Sequence, residues 1–338
     1  VNAPARRWRR GLVVGKFCPL HRGHMLVIDS ALAACDEVVV ISYTWPEFPG
    51  CGAALREAWL RALYPQVRLL VLDHARRLSR TPPFPDNDAP AAVQRDFCAA
   101  LCMDVLGVTV DAVFTSEDYG DGFALALSAF FDARRGPAPP VRHVCVDRAR
   151  AQVPVSGTAL RAFLHPLVYA SFVRKVCVLG GESSGKTTLA EALAVQLESA
   201  WAPEYGRELW NEKHGALAFD DMLAIGHAQQ AREAALLPGA KRWLVCDTSA
   251  LTTVFYSTEL FGRADPALVA LAAQPYDLTL LCAPDFAFVQ DGTRRDDGLR
   301  QRQHAWYVAE LARRGLPYTL VQGTLEQRLQ QAIAVLAA

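Results

Sequence analysis

A chain of 338 residues is long enough for two domains, and 51% hydrophobic against 21% charged residues describes globular protein with true cores, not a disordered chain. Lys plus Arg equals Asp plus Glu at 35 each, so bulk electrostatics gives no case for a nucleic-acid or membrane-surface partner. The nine cysteines form no C-x-x-C pair, and several (Cys145, Cys177, Cys246, Cys282) sit in apolar, strand-like runs: buried thiols in a reducing cytoplasm, not a disulfide frame. No run is long enough to span a membrane. The basic start, residues 1–10, has no apolar stretch behind it of signal-peptide length and reads as a loose, flexible tail.

The first half opens as strand, loop, helix, strand, the unit of a parallel sheet. Residues 11–15 (G-L-V-V-G) predict a strand. A helix is expected over about 23–34, with Met25, Leu26, Ile28 and Leu32 turned inward, and a second strand over 37–42. The loop between them carries Gly15-Lys16-Phe17-Cys18-Pro19-Leu20-His21-Arg22-Gly23-His24. His21 and His24, three apart at a helix start, fall on one side beside the free N–H groups of the first turn. That placement suits a triphosphate; a metal pair or two surface histidines are the alternatives. Residues 55–60 read as a helix with Arg56 and Trp59 on one face, which fits an ordinary amphipathic helix equally well. The run 81–90 (T-P-P-F-P-D-N-D-A-P) is either a flap or a surface loop. Residues 112–115 predict a strand leading into Ser116-Glu117-Asp118-Tyr119-Gly120, at the carboxyl end where open α/β sheets bind ligands. In Val155-Ser156-Gly157-Thr158-Ala159-Leu160-Arg161, Ser156 or Thr158 can cap a helix and donate to phosphate, and Arg161 brings a permanently charged fork.

The second half turns on Gly180-Gly181-Glu182-Ser183-Ser184-Gly185-Lys186-Thr187, of the form G-x-x-x-x-G-K-[ST]. A short buried strand over 175–179 precedes it and a helix over 188–198 follows. Glycines turn backbone N–H groups toward phosphate oxygens, and the helix N-terminus adds favourable partial charge. Lys186 would reach the β- and γ-phosphates and Thr187 would hold Mg²⁺. Further on come Ala202-Pro203-Glu204-Tyr205-Gly206-Arg207-Glu208, then a helix with Gly226 and His227, then an apolar strand (Trp243-Leu244-Val245-Cys246) ending on Asp247-Thr248-Ser249. An acid in that position contacts Mg²⁺ in phosphate-loop proteins. Another strand is expected over 279–282. Residues 291–302 place four arginines around D-D-G, as in a lid over a transferring phosphoryl group.

The loop at Gly15 resembles the H-x-G-H signature of the nucleotidyltransferase superfamily, and 155–161 its [ST]-[SGA]-T-x-[IVL]-R partner. With the phosphate loop, E-Y-G-R-E, D-T-x and D-D-G-L-R-x-x-R in this order, the chain from Gly11 onward resembles the NadR-type bifunctional proteins, nicotinamide mononucleotide adenylyltransferase joined to ribosylnicotinamide kinase. The resemblance implies an α/β fold: a Rossmann-like nucleotidyltransferase domain over 11–168, then a P-loop kinase domain over 172–338, both with parallel sheets. It implies ATP and Mg²⁺, and ribosylnicotinamide, nicotinamide mononucleotide and NAD as small-molecule partners, in a cytoplasmic protein for which a homo-oligomer stays open. ATP would be held by Gly15, Phe17, Ser156 and Thr158 in the first half. In the second it would be held by 180–185, Thr187, Thr188, Arg295 and Arg300. Catalysis would fall to Lys16, His21, His24 and Arg161, and to Lys186 and Asp247; Thr187 and Asp247 would hold the metal. The acceptors would meet Arg56, Trp59 and Tyr119, and Glu204, Tyr205 and Arg207. Two departures stand out. The ten residues ahead of Gly11 are expected not to hold the helix-turn-helix with which some relatives repress transcription, and Ser249 stands where many carry a second acid. An adenylyltransferase for another acceptor, such as phosphopantetheine, or an ATP- and NAD-binding sensor remain as alternatives.

Overall fold

The computed structural model describes residues 7–74, 83–116, 119–146, 164–286 and 297–337. The chain folds as two compact units, Val1–Tyr169 and Ala170–Ala338.

The first unit holds a five-stranded sheet in the order β3-β2-β1-β4-β5, formed by β1 (Trp8–Val14), β2 (Cys35–Tyr43), β3 (Arg68–Leu72), β4 (Ala112–Thr115) and β5 (Arg142–Cys145). All its pairings are parallel. Alternate strand residues feed opposite faces, as a period of two requires. Val13, Val38, Val40 and Phe114 pack with helix α1 (Arg22–Ala34) and helix α2 (Ala53–Leu63). Leu12, Val39, Ile41 and Val113 pack with α3 (Ala91–Ala100) and α4 (Gly120–Arg135). Burial on both faces explains the unbroken apolar runs of β1 and β2.

β1 starts inside the stretch expected to be a loose tail. Trp8 pairs with Cys35 and Arg10 with Glu37, and the Arg10 side chain donates to Glu37 and to the Thr109 carbonyl, 2.7 and 2.8 Å away. Basic residues at a strand's start read as tail from sequence because their partners lie far along the chain.

The unit ends in a short helix, α5 (Pro166–Ala170). The second unit holds the sheet β10-β9-β6-β8-β7, from β6 (Arg174–Gly180), β7 (Trp201–Ala202), β8 (Trp243–Asp247), β9 (Leu278–Cys282) and β10 (Thr319–Val321), again parallel throughout. Val176, Val178 and Leu280 face α6 (Lys186–Gln196) and α12 (Leu325–Ala337). Cys177, Leu179 and Leu281 face α8 (Phe219–Leu236), α9 (Ala250–Phe261) and α11 (Asp297–Arg313). Two shorter helices, α7 (Tyr205–Glu212) and α10 (Pro266–Leu271), complete it. In each unit strand order reverses around the strand that carries the glycine loop. That reversal opens a crevice at the strand's carboxyl end, and both loops sit there.

Candidate active sites

In the first unit the turn after β1 folds its own aromatic residue beneath it. Phe17 is fully buried with φ +51°. A Cβ at Gly15 would come within 2.9 Å of its ring, so only glycine lets the chain double back here. His21 then caps α1: its Nδ1 accepts the His24 N–H at 3.3 Å. The two imidazoles stack 3.6 Å apart, and Phe17 meets His24 edge-on at 5.0 Å. Burial, followed by the neighbouring His21, pulls the His24 pKa down to about 3, against a hydrogen bond with the Pro19 carbonyl. His24 is therefore neutral, and its Nδ1 is buried with no hydrogen-bond partner. A buried polar atom left open is costly, and this one stands where a phosphate is expected.

Lys16 lies in the same turn, reaching the Asn87 carbonyl at 3.4 Å and the Phe48 ring at 5.5 Å. The turn is braced from behind: Arg56 Nη1 donates to Ser42 Oγ at 2.7 Å, and Ser42 Oγ donates to the Lys16 carbonyl at 3.2 Å. Arg56 also pairs with Glu47 at 2.9 Å. Arg56 and Trp59 do share a face, but it is an interior one, 0% and 1% exposed. Trp59 is a core side chain, and Arg56 reaches the loop through Ser42 while its Nε is buried without a hydrogen-bond partner. Tyr119 is exposed, just before α4. Ser156, Thr158 and Arg161 lie outside the described residues. The Leu164 backbone, three residues past Arg161, bridges to His21. Sequence reading missed Asn87, whose backbone and amide bond Trp45 and Pro46 at 2.7 to 3.3 Å and pin 83–90 to the loop after β2.

In the second unit the loop after β6 needs left-handed backbone at Ser183 (φ +56°) and Gly185 (φ +76°), and at Gly181 a Cβ would stand 2.6 Å from the Arg300 carbonyl. Lys186 is 8% exposed and donates to its own loop at the Gly181 carbonyl, 3.0 Å away. Thr187 Oγ1 donates to Asp247 Oδ2 at 2.6 Å, while Asp247 Oδ1 is buried without a partner. β8 brings this acid to the loop: Val178 of β6 pairs with Asp247. Burial lifts the Asp247 pKa to about 6, and the Glu204 charge pushes the same way. The Thr187 hydrogen bond and the charges of Lys186 and Arg207 oppose them. One orphaned carboxylate oxygen beside a threonine hydroxyl is a hard-oxygen donor set that fits a magnesium ion.

Beside the loop opens a cavity, continuous with solvent, lined by Glu204, Arg207, Trp210, Gln229, Thr252 and Tyr256 among others. Glu182 and Ser183 also line it, so the loop and the cavity are one site. Glu204 pairs with Arg207 at 3.6 Å. Tyr205 departs from expectation. It is absent from the cavity wall, and the Arg232 guanidinium covers its ring at 5.2 Å, so it packs against α8. Ser249 caps α9 by accepting the Leu251 N–H at 3.3 Å. Thr188 lines a separate opening with Gly185 and Phe286. Arg300 is buried and donates to the Phe286 carbonyl at 2.9 Å; Arg295 lies outside the described residues.

Several loop-bracing groups carried no sequence signal. Gln303 Oε1 accepts the Glu182 N–H at 2.9 Å, and Tyr256 O–H donates to Glu182 Oε1 at 2.9 Å. Arg328 donates to the carbonyls of Ser184, Ala283 and Gly323 at 2.7 to 2.9 Å and pairs with Asp285. Among the described residues no cluster of three or more His, Cys, Asp or Glu could hold a metal by itself, and no helix is long and apolar enough to cross a membrane.

A family model described as an AAA domain matches residues 175–328. The chain is 28% identical over 319 residues to the trifunctional NAD biosynthesis/regulator protein NadR of Escherichia coli, covering 86% of this chain and 73% of that one. The same figures hold for the protein so described in Salmonella typhimurium. Among solved structures, a NadR protein in complex with NAD and AMP-PNP superposes with a TM-score of 0.65 at 19% identity, over 99% of this chain and 97% of that one. A NadR protein in complex with NR does so at 0.66, with the same identity and coverage.

Proposed function

We infer that this chain, which is a NadR-type protein, makes NAD in two ATP-dependent steps, phosphorylating ribosylnicotinamide in its second unit and adenylylating the resulting mononucleotide in its first. One observation carries the reading: each unit sets its own phosphate-binding turn at the crevice of its own five-stranded parallel sheet. On this reading 11–168 is the adenylyltransferase domain and 172–338 the kinase domain.

In the kinase step a nucleoside hydroxyl oxygen attacks the γ-phosphorus, the bond to the bridging oxygen breaks, and ADP leaves. Asp247 would act either as the base that takes the hydroxyl proton or as the magnesium contact. Glu204 and Arg207 hold the nucleoside in the cavity, and Lys186 stands for the charge facing the β- and γ-phosphates. Thr187 and Asp247 would hold magnesium, which when bound neutralises phosphate charge. In the adenylyl step a phosphate oxygen of the mononucleotide attacks the α-phosphorus of ATP and pyrophosphate leaves. No protein nucleophile is required, so Lys16, His21, His24 and Arg161 act by positioning and charge stabilisation. Tyr119 stands on the acceptor side. All nine cysteines are free and all but Cys18 and Cys145 are buried, which supports a cytoplasmic setting.

The test is direct. The protein is given ribosylnicotinamide, ATP and Mg²⁺, and mononucleotide and NAD are followed by chromatography. Mononucleotide should appear first and NAD after it. ATP and NAD binding without turnover would replace the enzyme with a sensor.

A further inference from the structure

The edge strand β5 carries a side chain that the chemistry above leaves unused. His143 pairs in register with Val113 of β4. Side chains two apart along a strand share a face, so Thr115, at the carboxyl end of β4, lies one step further along the face of His143. The imidazole spans that step: Nε2 is 2.8 Å from Thr115 Oγ1, and Nδ1 is 2.9 Å from Asp121 Oδ1 in the first turn of α4. One ring thereby ties the end of β4 to the start of α4, the two sides of the stretch that carries Ser116 and Tyr119.

The surroundings make room for it. A Cβ at the buried Gly120 would stand 2.0 Å from His143 Nε2, so the ring occupies the space that any other residue would fill there. From another direction Arg95 of α3 donates to the Tyr119 carbonyl at 3.5 Å, and a Cβ at Gly122 would come within 2.8 Å of its guanidinium. The Asp121 side chain is 86% exposed, and a pair so open to water adds little to stability. What the ring secures is geometry. Its place in the sheet gives that geometry a purpose: Phe114 pairs with Val13, which sets Thr115 beside the end of β1, just before the turn of His21 and His24.

We propose that His143 is a positioning residue for the acceptor in adenylyl transfer: by joining Thr115 to Asp121 it fixes where Tyr119 meets the nicotinamide mononucleotide. It touches no reacting atom and moves no proton. The proposal rests on the adenylyltransferase reading of the first unit.

The experiment measures NAD formation from supplied mononucleotide, with the first unit's unfolding transition followed by circular dichroism in the same samples as a control for folding. His143→Ala should raise KM for the mononucleotide about 3- to 10-fold, the loss of one or two hydrogen bonds, with kcat held within about twofold. His143→Gln, which can still reach Thr115, should recover most of the loss. Gly120→Ala should displace the ring and reproduce the KM rise, and adding it to His143→Ala should change nothing further, because the space is then vacant. An unchanged KM in His143→Ala, a fall in kcat alone, or additive effects of the two changes overturns the proposal. If the wild-type protein makes no NAD from mononucleotide, the adenylyltransferase reading fails and this proposal falls with it. If the wild type makes NAD and His143→Ala matches it, only the proposal fails.

Discussion

Thr187 and Asp247 share a 2.6 Å hydrogen bond that uses one carboxylate oxygen and leaves the other buried and unpartnered. A buried carboxylate half-satisfied in this way is completed by a cation or by a substrate hydroxyl. On the proposed reading, either partner would involve Asp247 in the reaction more than in binding the nucleoside. Asp247→Asn should therefore lower kcat for ribosylnicotinamide phosphorylation ~10²–10⁴-fold, the span of a lost general base. KM for the nucleoside should move little, as steady-state kinetics will report.

The raised Asp247 pKa sets a pH dependence with a definite sign. Burial, then the Glu204 charge, disfavours the ionised form and lifts the group to about 6. A base works only when ionised, so kcat/KM for phosphorylation should show an acid limb, at about 6 for the carboxylate alone and lower once a magnesium ion shares it. Glu204→Gln removes one raising charge; the acid limb should move to lower pH while KM for the nucleoside rises. Stability runs the other way. An acid with a raised native pKa contributes stability below its unfolded value, and that contribution is lost as pH rises through the native one. Asp247→Asn, neutral throughout, should thus unfold at a higher temperature than wild type at pH 7.5 and lose that advantage near pH 4. An equal melting temperature at both pH values would contradict the buried-charge account.

His24 should stay neutral in the free protein. Burial and the adjoining His21 hold it down to about 3, so an NMR titration should show its ring unprotonated at pH 5, where an ordinary histidine is charged. A depressed native pKa gives stability that is present above the unfolded value of about 6.5 and is lost as pH falls toward 3. Saturating ATP brings the counter-charge that the ring lacks and should raise its pKa. His24→Ala should cost adenylyl transfer ~10²–10³-fold, the loss of one preorganised group.

The glycine turns, the strands feeding them and the helices leaving them were legible in the sequence because each is local. A strand, a turn that only glycine allows, and a capped helix follow one another within some twenty residues. Asp247 was legible for a related reason, as an acid closing an apolar run. Groups that arrive by topology were not. Gln303, Arg328 and Tyr256 reach the phosphate loop from distant helices, and no spacing announces them. For Arg56 and Trp59, helical periodicity showed that the two share a face, not whether that face meets a ligand or the core. Tyr205 meets the same limit: its motif neighbours Glu204 and Arg207 line the cavity, while its own ring lies under Arg232.

Arg328 gives the bracing a measurable weight. It is 2% exposed and donates to three backbone carbonyls from the loops after β6, β9 and β10. Its removal leaves those oxygens and Asp285 without a buried cation. Arg328→Leu should destabilise the second unit by on the order of 3 kcal/mol, seen as a lower denaturant midpoint for that unit's transition. The first unit's transition should be unchanged.

The two turns belong to separate compact units, so their activities should separate by mutation. Lys186 donates to its own loop at the Gly181 carbonyl, and its charge bears on Asp247 of the same unit. Lys186→Ala should abolish phosphorylation of ribosylnicotinamide. NAD synthesis from supplied mononucleotide should stay within about twofold, since sites carried by separate compact units are expected to behave independently. The complementary change, His21→Ala, removes the cap on α1 and one ring of the stacked pair. It should let mononucleotide accumulate from ribosylnicotinamide without passing on to NAD. Mixing the two variants should restore NAD synthesis from ribosylnicotinamide, because the mononucleotide released by one is substrate for the other. If Lys186→Ala silences both reactions while circular dichroism shows a folded protein, the two sites are obligatorily coupled and the independent-site reading is wrong.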